Sequence, residues 1–437
     1  MALAFVASIL MNEKQTRGGD MDVQTGEAPA GAAGRRSTGY QAWLVGLLSI
    51  NFGIVFFDRQ ALNVLMPSVQ KDLLLTNTQI GLLASGLSFT WALAAFGIGK
   101  LSDTIGNRKL LLVLSTIGFS LCSFVSGVAT SFLFMLAARL LMGAAEGGIM
   151  PISHAMVATE VDPRHRGLAQ GIAQNFGSNL LGSFLAPVLL VWFAQVFGWR
   201  EAFFLAGVPG IISAIIIWFT LEEPPAPPRP AAAHEGERYG IRDALRNRNV
   251  LICVVLGVLM VSYFVTCLTF MPIYLTNVRG YTGTQMSWLI GTLGISATIG
   301  SFATSWLSDV IGRRPVMIAM PFIGIILPLG AMYWSGSVWG LAAIFFFGWG
   351  LNGIFPLFMA TVPSESVDPR HAATALGLTM GSAEILGGVF APFVAGAAAD
   401  ASTLAAPLWI MLGLTIVSGV VALFLVETAP RVLARRN

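Results

Sequence analysis

Apolar runs of roughly 20 residues recur from Tyr40 onward, with short polar stretches between them. A helix of about 20 residues is as long as the hydrocarbon core of a bilayer is thick. In lipid, a helix satisfies its own backbone hydrogen bonds, so these runs predict membrane-spanning helices. The approximate predicted spans are 40–65, 77–100, 109–129, 133–157, 166–192, 200–221, 249–275, 284–308, 315–336, 338–363, 370–396 and 405–426.

The composition excludes several other classes of protein. Of the 437 residues, 55% are hydrophobic and 11% are charged, whereas about 25% of the residues of a soluble protein are charged. A soluble enzyme with one core and a disordered chain are both excluded. A net charge of only +3 gives no reason to expect nucleic acid as a partner. Three widely separated cysteines, Cys122, Cys253 and Cys267, form no disulfide or metal-binding pattern.

A polar, proline-rich stretch at 222–248 interrupts the apolar series and separates six runs from six. The sequence thus predicts an all-α integral membrane protein with twelve transmembrane helices in two six-helix bundles related by a pseudo-two-fold axis. The predicted parts are a disordered cytoplasmic tail at 1–39, the first bundle at 40–221, the linker at 222–248, the second bundle at 249–426 and a tail at 427–437.

Basic residues predict the orientation of these helices. If both termini and the linker lie on one side, that side holds 20 of the 25 Lys and Arg residues. The opposite side holds Lys71, Arg200 and Arg279. Because basic loops stay in the cytoplasm, both termini are expected to be cytoplasmic.

The two halves repeat each other. GKLSDTIGNRK at 99–109 is echoed by SWLSDVIGRRP at 305–315, and VDPRH at 161–165 recurs at 367–371. Both repeats have an offset of 206 residues, as 309 − 103 and 367 − 161 show. The halves are therefore copies of one six-helix unit in the same orientation. Parallel repeats of this kind place a substrate site between the halves, near the bilayer midplane.

The motif GxLSDxxGxRK and its second copy resemble the loop signature of the major facilitator superfamily over essentially the whole chain after residue 40. Gly106 and Gly312 permit a tight turn at the membrane surface. Acidic and basic residues beside that turn can pair and hold one conformation. We therefore expect gating roles for these residues, although membrane anchoring alone would also explain the basic ones. They are Asp103, Arg108, Asp309 and Arg313.

Ionisable groups at membrane depth are costly and therefore indicate function. Away from their ends, the predicted spans hold five: Asp58, Arg59, Arg139, Glu146 and Glu384. Arg139 and Glu146 are seven residues apart, so they share a helix face about 10.5 Å apart along the axis. Alternatively, Asp58–Arg59 and Arg139–Glu146 are salt bridges without a transport role.

Carboxyl and guanidinium groups of this kind can couple an anion to a proton. A buried carboxyl group takes up a proton more readily than one in water, and a nearby guanidinium opposes this. A substrate anion on Arg139 or Arg59 would weaken that opposition and favour proton uptake by Glu146 or Asp58. Arginine suits the anion because it stays charged and binds carboxylate as a fork.

The sequence DR in the first span, with R(x6)E and GGIMP in the fourth, resembles the anion:cation symporter branch, which carries sugar acids and other organic anions. The resemblance implies proton-coupled uptake, with Arg59 and Arg139 on the substrate carboxylate and Asp58 and Glu146 handling protons. DRQALNVLMP, LTNTQIGLL and AGVPG also resemble spinster-type lipid transporters.

Further residues of the transport site, for substrate or for protons, are expected on four other helices. Trp91 stands where sugar-acid carriers often have Tyr, so an aromatic or less hydroxylated carboxylate is also plausible. Asp58 plus 206 is Phe264, beside Tyr263, whose ring could stack on a substrate or simply pack. Ser178 and Asn179 could bind substrate or join helices. Glu384 is predicted to be a second proton-coupling site, or a buried acid bonded to a serine.

The predicted function is secondary active transport: uptake of a small organic anion with protons, by alternating access in a bacterial inner membrane. No phosphate-binding loop, metal motif or nucleophile elbow occurs in the sequence, so no enzyme activity and no cofactor beyond the proton gradient are expected. A monomer is expected. The alternatives are a spinster-like exporter of lipids or drugs and a membrane sensor that has lost transport.

Overall fold

The computed structural model describes residues 37–162, 165–224, 240–368 and 371–434. The predicted tail up to residue 36 and most of the predicted linker lie outside these ranges. The described residues form twelve long apolar helices, which we number in chain order. They are α1 Thr38–Leu73, α2 Asn77–Ile105, α3 Arg108–Gly127, α4 Phe132–Glu160, α5 Arg166–Phe197, α6 Trp199–Thr220, α7 Arg248–Asn277, α8 Gly283–Ile311, α9 Arg313–Tyr333, α10 Val338–Glu365, α11 Thr374–Ala401 and α12 Ala406–Ala422.

These helices confirm the predicted all-α membrane fold. Among the described residues, eleven helices are long and apolar enough to cross a membrane, and α12 is a shorter apolar helix of 17 residues. Some predicted boundaries were wrong. Helix α1 runs to Leu73 rather than residue 65. The predicted linker contains a short helix, Ile241–Arg246, and the start of α7 at Arg248.

Helix ends follow sequence signals. Thr76 and Thr282 cap α2 and α8 through capping boxes with Gln79 and Gln285, as their T-x-x-Q spacing favours. Gly106 and Gly312 adopt φ of 70° and 113° after α2 and α8, which confirms the predicted tight turns.

Several of the described helices leave regular α geometry part of the way along their length. In α4 the break falls at Gly147 and Gly148, and α10 has a 3₁₀ segment at Gly350–Ile354. Helices α5 and α11 contain π-helical segments at Ser178–Leu185 and Ala383–Val389. These two segments start at related positions of the repeat, 205 residues apart, since 383 − 178 = 205. Irregular helix at membrane depth is typical of substrate sites between repeats.

We call the face that holds Thr38 and the start of α7 the terminal face, and the opposite one the distal face. The two bundles are joined near the distal face, where α2 crosses α11 and α5 crosses α8. A Cβ on Gly81 would lie 2.2 Å from the Pro392 carbonyl oxygen, and one on Gly294 would lie 2.5 Å from the Ser183 carbonyl carbon. Glycine is therefore needed for both close approaches.

Candidate functional site

An ion pair between α1 and α4 lies at the middle of the first bundle. Arg59 donates from Nη2 and Nε to Glu146 Oε2, at 2.9 and 3.3 Å. The Glu146 side chain is completely buried, whereas 26% of the Arg59 side chain is exposed. Glu146 Oε1 is buried and has no hydrogen-bond partner. The pair therefore has one closed side, at Glu146, and one open side, at Arg59.

Two aromatic rings hold the Arg59 guanidinium. Its Cζ lies 5.3 Å from the ring centroid of Phe56 and 5.6 Å from that of Trp91. Both distances allow a cation–π interaction. Trp91 lies on α2 and is partly buried. The structure thus brings the predicted substrate residues Arg59 and Trp91 together.

Asp58 points away from Arg59, into the interior of the first bundle. It is fully buried, and its Oδ1 lies 2.6 Å from the hydroxyl oxygen of Ser123 on α3. The same hydroxyl lies 2.9 Å from the backbone carbonyl oxygen of Phe203 on α6. Asp58 Oδ2 has no hydrogen-bond partner. Adjacent residues of a helix point about 100° apart, which explains why Asp58 and Arg59 face different surroundings.

Arg139 is fully buried near this second cluster. Its Nη1 lies 3.1 Å from Met142 Sδ, and its Cζ lies 5.2 Å from the Phe203 ring centroid. Its Nε and Nη2 have no hydrogen-bond partner. Leaving such donors unpaired costs free energy.

The two salt bridges suggested by sequence spacing are not what the structure shows. Arg59 pairs with Glu146, whereas Arg139 makes no ion pair with Asp58 or Glu146 among the described residues. Glu146 thus turns toward α1, while Arg139 lies against Phe203 of α6.

The remaining predicted substrate residues differ in accessibility. Ser178 is buried, and its hydroxyl donates to the Gln174 carbonyl oxygen in its own helix at 2.6 Å. Asn179 is partly buried. Tyr263 is fully buried, with its ring centroid 5.9 Å from that of Trp349. Neither Ser178 nor Tyr263 is open in this conformation.

Phe264, next to Tyr263, is the more open aromatic residue of α7. It is partly buried and stacks on Trp349 of α10, with ring centroids 5.6 Å apart. Phe355 continues the cluster, 5.7 Å from Phe264. The second bundle therefore contributes a cluster of aromatic rings that is only partly buried at Phe264.

Glu384 lies in the π-helical segment of α11 and is partly buried. Within the described part of the chain it makes no hydrogen bond with Ser382. A Cβ on Gly388, one turn further along α11, would lie close to both Glu384 Oε2 and Ser88 of α2. The structure thus places Glu384 beside α2, the helix whose Trp91 covers Arg59.

The predicted gating residues lie at the terminal face. The side chain of Asp103 lies outside the described residues. Arg108 donates from Nη1 to Thr159 Oγ1 at 3.0 Å, joining α3 to the end of α4. In the second bundle, Arg313 donates to Asp309 Oδ1 at 2.5 Å and to Glu365 Oε1 at 3.1 Å.

The repeat shifts register by one residue in this loop. Backbone N–H groups of Arg108 and Lys109 donate to the two carboxylate oxygens of Glu223, at 2.6 and 2.8 Å. In the second bundle, Arg313 and Arg314 donate in the same way to Glu427, at 2.8 and 3.1 Å. Arg108 therefore corresponds to Arg313, at an offset of 205. The offset of 206 that the sequence gives for Asp103 and Asp309 would match Arg108 with Arg314, and it was wrong for this residue. The cause is Asn107, which caps α3, whereas Gly312 precedes α9 directly.

Sequence reasoning missed Ser123, Glu223 and Glu427. Ser123 is uncharged and lies inside an apolar run, so nothing marked it. The two glutamates follow the last apolar run of each half, in LEEPP and LVETAP. Their shared position at the end of each half was a usable signal. It also means that the predicted C-terminal tail begins with a residue that caps a helix.

Comparison with known proteins places this geometry in a family. The family model described as Major Facilitator Superfamily matches residues 48–392 and 280–436. A probable sulfoacetate transporter of Cupriavidus necator is 26% identical over 72% of this chain and 75% of its own length. A hexuronate transporter of Bacillus subtilis is 29% identical over 61% of this chain and 65% of its own length.

A solved structure supports the fold. It is that of a bacterial homolog of the human lysosomal transporter Spinster, in an inward-facing and unoccupied conformation. Its TM-score is 0.66 at 20% identity, over 89% of this chain and 95% of that one. A family model that covers most of the chain, relatives named as transporters and this shared architecture exclude an enzyme. The chain is a multi-pass membrane transporter that belongs to the Major Facilitator Superfamily.

Proposed function

We propose that the protein takes up a small organic anion together with protons, by alternating access. The observation that carries this proposal is the Arg59–Glu146 pair, which is buried at its acidic end and partly exposed at its basic end. The relatives named as transporters of sulfoacetate and hexuronate support an organic anion as substrate class.

Arg59 is the first contact for the anion in this proposal. It is partly exposed, carries a permanent charge and presents a planar fork that matches a carboxylate. Arg139 is the deeper contact. Its unpaired Nε and Nη2 are donors that an anion would satisfy after the surrounding helices rearrange.

Hydrogen-bond counting supports a proton on Asp58. The Ser123 hydroxyl has one hydrogen, yet its oxygen lies within bonding distance of both Asp58 Oδ1 and the Phe203 carbonyl oxygen. The carbonyl can only accept. If Asp58 is protonated, it donates to Ser123, which donates to Phe203, and both contacts are hydrogen bonds. If Asp58 is ionised, one of these contacts has no hydrogen.

Coupling would arise because substrate and Glu146 compete for Arg59. An anion that draws Arg59 away leaves a fully buried carboxylate without its counter-charge. Such a group is strongly favoured to take up a proton. Glu146 Oε1 has no bond to lose when it does so. One bound anion would thus promote one bound proton.

The surroundings favour a substrate with an apolar or aromatic body. Trp91 and Phe56 flank Arg59, and Phe264 and Phe355 form an aromatic cluster in the second bundle. Rings stack on planar substrates or cover apolar ones. We therefore propose an aromatic or sparingly hydroxylated carboxylate ahead of a polyhydroxylated sugar acid.

The proposal further places the protein as a monomer in the inner membrane, with the terminal face in the cytoplasm. The basic residues support this orientation. Joined bundles at the distal face then correspond to a state open toward the cytoplasm. The networks around Arg108 and Arg313 would rearrange when the bundles rock.

Transport into proteoliposomes tests the proposal. Radiolabelled benzoate and gluconate are offered from an acidic outside, and accumulation of either above that of protein-free vesicles is expected, because benzoic acid itself diffuses along the pH gradient. Glu146→Gln should abolish this accumulation but spare exchange of labelled for unlabelled substrate, because only the proton step is lost. Arg59→Ala and Arg139→Ala should lose both. Loss or retention of both activities in Glu146→Gln would contradict its assigned role.

The same vesicles separate the alternatives. Wild-type protein that concentrates neither a carboxylate nor any member of a wider carboxylate panel would refute anion symport. Proton-driven movement of lipid or cationic drugs instead would establish an exporter. Binding of a carboxylate without exchange would establish a sensor.

A further inference from the structure

Glu384 is an acid at membrane depth without a partner. The residue at the equivalent position of the first bundle is Asn179, since SNLLGSFLAP at 178–187 matches AEILGGVFAP at 383–392. Glu384 makes no hydrogen bond or ion pair among the described residues. Intramembrane acids are usually paired, and an unpaired one is a candidate for contact with a substrate or ion.

The position of Glu384 relates it to the anion site. A Cβ on Gly388 would lie 3.2 Å from Glu384 Oε2 and 3.6 Å from Ser88 Oγ on α2. Ser88 and Trp91 are three residues apart, so they share a face of α2. Trp91 covers Arg59 on that face. Glu384 thus approaches the Arg59 site from the second bundle, along the helix face that already contacts it.

The charge balance there disfavours a second negative group. Glu384 is partly exposed, unlike the fully buried Glu146, so we take it as ionised at neutral pH. Arg59, already paired with Glu146, does not neutralise it fully. A substrate carboxylate that came within about 6 Å of an ionised Glu384 would be disfavoured by roughly 100-fold, at an effective dielectric constant of about 20. A hydroxyl or other hydrogen-bond donor at the same place would instead be favoured, because Glu384 has only acceptors to offer.

We propose that Glu384 is a specificity-determining residue, which excludes dianions and selects anions with one negative charge and a neutral or donor group at the opposite end. This inference rests on the proposed function, in which Arg59 holds the substrate carboxylate. It assigns Glu384 a role in recognition in place of the proton coupling expected from sequence.

Binding to the purified full-length protein tests the inference. Thermal shift or calorimetry measures the affinity for two matched pairs at neutral pH: benzoate with terephthalate, and gluconate with glucarate. Each pair shares its carbon skeleton or its chain length and differs by one negative charge. Wild-type protein should prefer the monoanion by about 30- to 100-fold in the pair it binds.

Glu384→Gln keeps the size of the side chain and removes the charge. The preference for the monoanion should fall at least tenfold, mainly through tighter binding of the dianion. Glu384→Asp should retain the preference. Asp243→Asn, which changes the same net charge in the short helix before α7, should leave it unchanged. Glu384→Asn, which installs the residue of the first bundle, replaces Glu384→Gln if the latter does not fold.

The outcomes are distinct. An unchanged preference in a folded Glu384→Gln protein that still binds benzoate or gluconate overturns the inference and leaves the proposed function intact. Lost proton-driven accumulation with an unchanged preference overturns it in favour of a proton site. If wild-type protein binds no carboxylate, both proposals fail.

Discussion

Asp400, at the distal end of α11, links the two bundles through the start of α2. Its Oδ1 accepts from Asn77 N and Nδ2 at 2.9 and 2.8 Å, and its Oδ2 accepts from Thr78 N and Oγ1 at 2.7 and 2.6 Å. Thr76 caps the same helix by accepting from Gln79 N. A carboxylate of the second bundle therefore completes the cap of a helix in the first. This contact exists only while the distal face is joined.

Asp400→Ala should shift the protein toward a separated distal face. Losing a cap of this kind costs about 0.5–2 kcal/mol, and losing a charge beside a helix N-terminus costs about 0.3–1 kcal/mol. Because Asp400 is exposed, we expect a total of about 1–2 kcal/mol. That free energy changes the ratio of separated to joined molecules about 5- to 30-fold. Asp400→Asn keeps one acceptor and should show a smaller shift.

Pulsed electron paramagnetic resonance measures this ratio. Spin labels are attached at residues 74 and 278, which end α1 and α7 at the distal face and are 85% and 51% exposed. The native cysteines, Cys122, Cys253 and Cys267, are first replaced by serine. A longer-distance population should grow in Asp400→Ala. An unchanged distance distribution, or an equal shift in the control Asp243→Ala, would refute the reasoning.

Two further predictions concern the interior of the first bundle. Ser123→Ala removes the hydrogen-bond acceptor of a protonated Asp58. The pH profile of gradient-driven uptake should therefore move toward acidic pH. A move toward alkaline pH would show instead that Ser123 donates to an ionised Asp58. Gly177→Ala places a Cβ 1.8 Å from the Ser49 carbonyl oxygen, which must separate α1 from α5 at a cost of about 1–3 kcal/mol. Thermal unfolding in detergent should show this loss, whereas Gly171→Ala, which meets no atom within 4 Å, should unfold like wild type.

The sequence predicts features that are local to one helix or turn. Apolar runs of sufficient length predict spanning helices because lipid leaves the backbone few alternatives. Gly106 and Gly312 predict the tight turns because other residues rarely adopt positive φ. The seven-residue spacing of Arg139 and Glu146 predicts their common face, since both lie in one uninterrupted helical segment, Phe132–Glu146.

Which side chain each charged residue contacts depends on how the helices pack, and the sequence did not predict these contacts. That Arg59 meets Glu146 depends on how α1 is rotated against α4, which no spacing within either helix determines. The role of Ser123 depends on three helices that converge on one hydroxyl. Arg108 is equivalent to Arg313 and not to Arg314 because one half of the repeat contains a residue, Asn107, that the other half lacks.

The two halves share their helix arrangement but not their ionisable side chains. This asymmetry bears on how substrate is carried. Residues at equivalent positions differ: GAAEGGIMP at 143–151 matches GWGLNGIFP at 348–356, so Glu146 corresponds to Leu351. The first bundle therefore holds both cations and two of the three acids. A bound anion and proton would travel with that bundle, while the aromatic rings of the second bundle close over them. Glu384 is the one acid of this set that lies in the second bundle. In the inference drawn above, it is the group through which the second bundle discriminates between anions bound to the first.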